Sequence, residues 1–239
     1  MTRQNIAMSS LLLLLSSVSV AGTTSDYSEI CECVTTTGSR TIPVVIRDFR
    51  ASHPDFEGTL GEDPGLVKAD LGGDGRPVYA PESSSLTTTG KDNFDQWYRD
   101  VSGVNYTINK NLTITEIASG FWEYSNSRFF PIDGEGFGNQ NNSHNYHFTL
   151  ETHLKFYYVP GDTFTFRGDD DLFLFINGKL AMDIGGVHDV IEKTLDLDSM
   201  AEYLGIEPGN TYSFDLFFAE RHTVESNFQF QTTLELECL

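Results

Sequence analysis

Gly168-Asp169-Asp170-Asp171 runs straight into Leu172-Phe173-Leu174-Phe175-Ile176, so three consecutive carboxylates stand at the head of a strongly apolar stretch. Two unit charges about 5 Å apart at an effective dielectric near 20 repel by roughly 3 kcal/mol. Such crowding beside a core strand calls for a cation or a hydrogen-bond network to offset it. Asp169 and Asp170 offer hard oxygen ligands in front of a rigid strand, which suits calcium; the competing role is to cap a turn by accepting backbone N–H bonds. Asp171 is a weaker ligand or a strand-end residue. Asp183, just after the next strand, either approaches the same rim or ends a hairpin.

A second group of polar residues follows an apolar stretch near the C-terminal end. Glu220-Arg221-His222 begins a loop at a sheet end, where it either forms a buried ion pair beside the acidic run or contacts ligand. Asn227, and more weakly Glu225, are further ligand candidates on that loop. His188 is another, and His188-Asp189 has the composition of a catalytic dyad. Adjacent loop residues seldom face each other, however, and no Gly-x-Ser-x-Gly elbow accompanies the pair, so a binding protein rather than an enzyme is expected. His144, His147 and His153 lack H-E-x-x-H spacing and the cysteines lack C-x-x-C spacing, which argues against zinc. Asp74-Gly75 lacks the alternating acids and final glutamate of an EF-hand and is read as a turn. Trp97, Tyr98, Trp122 and Tyr124 could stack on sugar rings, but with aromatics at 13% of residues most must be core.

The elements that must hold these residues are strands. Thr41 to Asp48, Asn105 to Ala118, His147 to Tyr158, Thr163 to Phe166, Tyr212 to Phe218 and Phe228 to Leu236 are β-branched, aromatic or alternating. Leu172 to Ile176 is apolar on both faces, as in a buried central strand. Pro160-Gly161, Asn177-Gly178 and Pro208-Gly209 are turns, and Asn177-Gly178 predicts a hairpin. Short helices are predicted over 93–101, capped by Asp92, and over 197–204, with Asp198 near the start and Gly205 just past the end. Residues 50–92 are a Gly-, Pro-, Ser- and Thr-rich excursion. The fold class is therefore all-β, a β-sandwich or jelly-roll-like barrel with one or two short helices.

Arg3, the Leu11–Leu15 block and Ser19-Val20-Ala21 have the layout of a secretory signal peptide over residues 1–21. A cysteine-containing lead-in over 22–40 and a single domain over 41–239 follow. Secretion without a transmembrane anchor is expected. The formal net charge of −20 disfavours nucleic acid and anionic membrane as partners. Secretion makes disulfides plausible, with Cys238 bonded to Cys31 or Cys33 and the remaining cysteine free or intermolecular. Sequons at Asn105, Asn111 and Asn141 would make a eukaryotic secreted form a glycoprotein.

Several segments together resemble the fibro-slime domain. They are Ile46-Arg47-Asp48-Phe49, His53-Pro54-Asp55-Phe56, Gly65-Leu66-Val67, Phe94-Asp95-Gln96-Trp97-Tyr98, Phe130-Pro131-Ile132-Asp133-Gly134, Asn145-Tyr146-His147-Phe148-Thr149, the acidic segment, Asp183-Ile184-Gly185-Gly186-Val187-His188 and Phe217-Phe218-Ala219-Glu220-Arg221-His222. The order and number of these motifs, from about residue 41 to 237, carry the resemblance. The second half also resembles the wider protective-antigen-type β-sandwich family, which includes flocculin and epithelial adhesin lectins, with slime-mould secreted factors that induce prespore cells in the same broad group. This resemblance implies a secreted, calcium-dependent carbohydrate-binding or adhesion module. It implies calcium on an Asp-Asp pair joined by a cis peptide, here Asp169 and Asp170. Asp171 departs from the glycine common in those lectins, and the loop that completes their metal shell has no residue-by-residue match. The slime-mould resemblance implies the alternative, a secreted signalling or extracellular-matrix protein that binds a protein partner.

Overall fold

The structure is a computed structural model that describes residues 35–36 and 38–239. The signal segment, Cys31 and Cys33 lie outside the described residues. The strands are β1 (Thr35–Thr36), β2 (Ser39–Phe49), β3 (Gly61–Glu62), β4 (Asn105–Ala118), β5 (Phe121–Asn126), β6 (Phe148–Tyr157) and β7 (Thr163–Gly168). They continue as β8 (Asp171–Ile176), β9 (Lys179–Ile184), β10 (Gly186–Val187), β11 (Ile191–Asp196), β12 (Thr211–Glu220), β13 (Phe228–Thr232) and β14 (Glu237–Cys238). Two helices, α1 (Lys91–Phe94) and α2 (Leu197–Leu204), complete the set.

The main sheet runs β11-β7-β13-β5-β4-β2-β6-β12-β8-β9, with β1 added on β2 and β14 on β6. Every pairing is antiparallel, and the sheet curls until β11 approaches β9. An all-β sandwich or barrel is thus the observed class. Inside the curl lies the main core, which includes Ile46, Leu150, Phe164, Phe166, Leu172, Leu174, Phe218 and Phe228.

β8 is buried on both faces because there are two cores. Leu172, Leu174 and Ile176 face the main one. Phe173 and Phe175, with Phe217 and Ala219 of β12, face a second core closed by Leu66, Val67, Tyr79, Phe94, Trp97 and Tyr98. The excursion predicted over 50–92 therefore covers the outer face of β8 and β12. Trp97 and Tyr98 are fully buried there, and Trp122 is 6% exposed, so all three are packing residues.

The β8–β9 hairpin turns on Asn177 (φ 52°) and Gly178 (φ 73°), both left-handed as a tight type I′-like turn requires. α2 has the expected span. Its cap is Asp196, whose side chain accepts from the Asp198 and Ser199 amides, and Gly205 ends it at φ 66°. α1 differs from the prediction: it starts after Gly90 with no side-chain cap and stops at Phe94. Tighter bonds follow, Gln96 N–H to Asn93 O and Trp97 N–H to Phe94 O, while Trp97 and Tyr98 turn into the second core. β2 begins at Ser39, two residues before the expected domain start. Among the described residues no helix is long and apolar enough to cross a membrane.

Candidate functional site

The acidic run lies where β7 ends and β8 begins, and the 221–227 loop joining β12 to β13 lies against it. Gly168 has no room for a side chain: a Cβ there would meet Asn227 O. That close approach lets Asp169 grip the loop. Its Oδ1 accepts the Asn227 N–H at 2.6 Å and its Oδ2 accepts the Asn227 Nδ2–H at 2.8 Å. Asn227 is thereby a partner of Asp169, placed to fix the loop.

Asp170 sits at φ 55°, a left-handed conformation that aspartate tolerates better than most residues. Among the described residues no peptide bond is cis, so the implied cis Asp169–Asp170 linkage is corrected to a trans one. The Arg221 N–H donates to Asp170 Oδ2 at 2.7 Å. Burial pushes the Asp170 carboxyl up to about 8; the Arg221 charge pulls it down and Asp171 pushes it up again.

Asp171 is turned onto Arg221 and is a structural ion-pair residue. Arg221 Nε donates to its Oδ2 at 2.6 Å, Nη2 donates to its Oδ1 at 3.1 Å, and the Gly186 N–H donates to Oδ1 at 2.7 Å. Arg221 is also fully buried. It donates to Asp55 O at 3.1 Å and Thr87 O at 2.8 Å, and lies 4.7 Å over the Trp97 ring. Of the two roles open to each residue, the geometry displays the buried ion pair for Arg221 and the strand-end role for Asp171, each engaged by the other.

Glu220 is one of the residues expected either beside the acidic run or against ligand, and the strand register places it beside the run. β12 and β8 are antiparallel with Ala219 opposite Asp171, so the next step along each strand sets Glu220 beside Asp170. Glu220 is 1% exposed, and its Oε2 has no hydrogen-bond partner. Burial first, then the charges of Asp170 and Asp169, push its carboxyl well above the usual range.

Asp169, Asp170 and Glu220 form the floor of a cleft of about 710 Å³. Its walls include Leu60, Glu62, Val187, His188, Asp189 and Glu225. At its mouth Leu60 is 63% and Val224 77% exposed. Val224 has φ 153°, an outlier for a β-branched residue. His188 lines the cleft, but its Nδ1 bonds the Asp189 backbone oxygen at 2.9 Å, not the Asp189 carboxylate, so the two do not form a dyad. His222 also lines the cleft, with its Nε2 3.6 Å from Glu57 Oε2.

Asp183 lies on β9, opposite Phe173. Its Oδ2 accepts the Gly65 N–H at 2.7 Å and so ties the excursion to the sheet. Among the described residues no group of three or more His, Cys, Asp or Glu side chains is gathered as a metal shell. Of the sequons, Asn111 and Asn141 are exposed. Asn105 is buried, and its Nδ2 donates to Gln96 O at 3.0 Å and Arg99 O at 2.8 Å. The expectation of a glycan on Asn105 is therefore corrected for the folded chain. Cys238 lies on β14, and the choice between Cys31 and Cys33 as its partner falls outside the described residues.

No family model matches the chain, so the fibro-slime resemblance rests on the motifs. Among curated proteins the chain is similar to Protein psiR of Dictyostelium discoideum, 41% identical over 204 residues, which covers 78% of this chain and 20% of that protein. It is similar to Protein psiQ of the same organism, 41% identical over 206 residues, with 80% and 20% covered. Protein psiC, also of Dictyostelium discoideum, is 35% identical over 210 residues, with 79% and 40% covered. The chain thus spans between a fifth and two-fifths of these relatives' length. Among solved structures it is similar to the PA14 domain of the MpAFP antifreeze protein, at TM-score 0.33 and 11% identity, with 79% of each chain covered. It is also similar to the PA14 sugar-binding domain of an RTX adhesin, at TM-score 0.31 and 8% identity, with 74% of this chain and 95% of that one covered.

Proposed function

Starting from the similarity to the psi proteins, we propose that this chain is a secreted recognition module of the fibro-slime kind, which binds carbohydrate or mediates cell adhesion with the help of calcium. The observation that carries the reading is the deficit of positive charge on the cleft floor. Asp169, Asp170 and Glu220 are buried together, the adjacent Arg221 is taken up by Asp171, and Glu220 Oε2 has no partner. Buried carboxylates without a counter-charge protonate or bind a cation. Carboxylate oxygens are the ligand type calcium prefers, and it takes six to eight oxygens in adaptable geometry, so Asp169 and Asp170 would supply only part of a shell that the described side chains do not complete. Asp169 and Asp170 would hold the ion, with backbone carbonyls, water or ligand hydroxyls completing its shell. Bound calcium would supply positive charge and open coordination positions to a sugar. The chain's own residues do the rest: Asn227 fixes Asp169, the Arg221 N–H orients Asp170, and Leu60 and Val224 offer apolar ledges at the mouth.

The test is thermal unfolding in calcium and in chelator, followed by a glycan array in both. Calcium is expected to raise Tm and to be required for glycan binding, and Asp169→Asn with Asp170→Asn to remove both effects. An unchanged Tm for the unmutated protein would sink the calcium reading. A second reading, a signalling or matrix protein that binds a protein partner, is favoured by one feature. Apart from two histidines, the described residues lining the cleft include no aromatic ring on which a sugar could stack. An array without hits, beside a stable protein partner in pull-down, would favour it.

A further inference from the structure

We propose that the glycan selected by this cleft carries free amino groups, as in a polysaccharide whose amino sugars are not acetylated. The inference rests on the carbohydrate reading above and names its ligand class.

The cleft is lined by six carboxylates, Glu62, Asp169, Asp170, Asp189, Glu220 and Glu225, and by no Lys or Arg among the described residues. Cations near its edge are occupied elsewhere. Arg221 is fully buried against Asp171, and Lys193 Nζ donates to Asp183 O at 3.1 Å. Calcium on Asp169 and Asp170 would offset two of these charges. Glu62, Asp189 and Glu225 remain, all exposed at the rim. Glu220, buried on the floor with its Oε2 unpartnered, adds a hydrogen-bonding group aimed into the cleft rather than a further charge. A cleft of one sign, walled by low-dielectric side chains, focuses its field on an incoming ligand. It repels sulfated or uronic-acid glycans. It gives a neutral N-acetylated glycan no charge complement, and it pairs an ammonium group with the rim carboxylates. Leu60 and Val224, both exposed at the mouth, suit the C–H faces of the rings that hold those groups.

The test compares two tetrasaccharides with one skeleton, β-1,4-linked glucosamine and β-1,4-linked N-acetylglucosamine. Binding is measured by calorimetry with calcium present, near pH 6 where the amine is charged. The amine form is expected to bind at least tenfold more tightly. That preference is expected to fall below threefold in Glu62→Gln/Asp189→Asn/Glu225→Gln. A control triple, Asp92→Asn/Glu202→Gln/Glu207→Gln, removes exposed carboxylates that do not line the cleft and is expected to keep it. Equal binding, or preference for the acetylated form, overturns the proposal. So does an equal loss in the control triple, since the attraction would then belong to the acidic surface as a whole. If another neutral glycan binds and the amine form does not, the carbohydrate reading stands and this inference falls. If no glycan binds at all, both fall.

Discussion

Two clusters of buried carboxylates are built on β12 and the strands beside it. On the outer face, Glu151 of β6 is fully buried between Arg47 Nη1 at 3.0 Å and Arg76 Nη2 at 3.1 Å, and His153 Nδ1 lies 2.7 Å from Asp215 Oδ1 of β12. At the end of the same strand, Glu220 meets Asp169 and Asp170 with Arg221 already paired to Asp171. Burial raises both glutamates, but the outcomes are opposite. The hydrogen bond from His153 and the charges of Arg47, His153 and Arg76 overcome burial and hold Glu151 down at about 2. At Glu220 the neighbouring charges are carboxylates and add to burial. Both clusters are buried, but the outer one sets two carboxylates, Glu151 and Asp215, among Arg47, Arg76 and His153, whereas the other sets four against Arg221 alone. The supply of cations is what separates the two clusters.

The largest effect that would break this comparison lies at Arg221. If it serves Asp171 structurally, Arg221→Met leaves a fully buried carboxylate unpaired. Removing one partner of a buried pair costs about 3–5 kcal/mol, so urea unfolding should show a loss of that size with or without calcium. A loss below about 1 kcal/mol, near the median for exposed pairs, would mean that Asp171 belongs with the unpaired floor.

The second effect is a pH window for the outer network. Burial lowers the His153 imidazole, but bonds to Asp215 and Glu151 outweigh it and raise it to about 9. With the folded value above the unfolded one near 6.5, its contribution is complete below about pH 6.5 and is lost as pH rises through about 9. Glu151 is depressed, so its contribution is complete above about pH 4.5 and is lost as pH falls toward about 2. The Tm difference between the unmutated protein and His153→Gln should therefore be largest near pH 5–6 and smallest above pH 9. A difference that grows with pH would remove the contrast with the cleft.

Much of this was legible in the chain itself. The acidic run could be placed at a strand head because Leu172–Ile176 is apolar without alternation, and the second core over Phe173 and Phe175 explains why. β5 and β11 were missed for different reasons. β11 reads Ile-Glu-Lys-Thr-Leu-Asp and is a mostly exposed edge strand. β5 is six residues long and draws its order from β4 and β13 on either side. The neighbours of the acidic run were the harder problem. Glu220 and Asp170 meet through the β12–β8 register across 50 residues of chain, and no local pattern encodes a pairing at that distance. Arg221 was open to either reading because sequence gives its charge but not its direction. The direction is set by Asp55 and Thr87 of the excursion, which accept its remaining donors.

The smallest expected effect is also the sharpest discriminator, because it requires a buried charged-type residue whose loss does little. Glutamine has the shape of a protonated glutamic acid. Glu220 is held well above the usual carboxylate range, so near pH 6 without calcium the Glu220→Gln variant replaces a neutral group with another of the same size. The stability change should stay within about 0.5 kcal/mol, the range of changes that disturb no buried charge. Glu151→Gln should fare quite differently at the same pH. It strips a buried carboxylate from Arg47, Arg76 and His153 and falls under the buried-pair loss of about 3–5 kcal/mol. Denaturant unfolding of the two variants side by side therefore measures the cation supply of each cluster directly. Equal losses would show that Glu220 is an ionised, paired residue like Glu151, and the contrast between the two clusters would be gone.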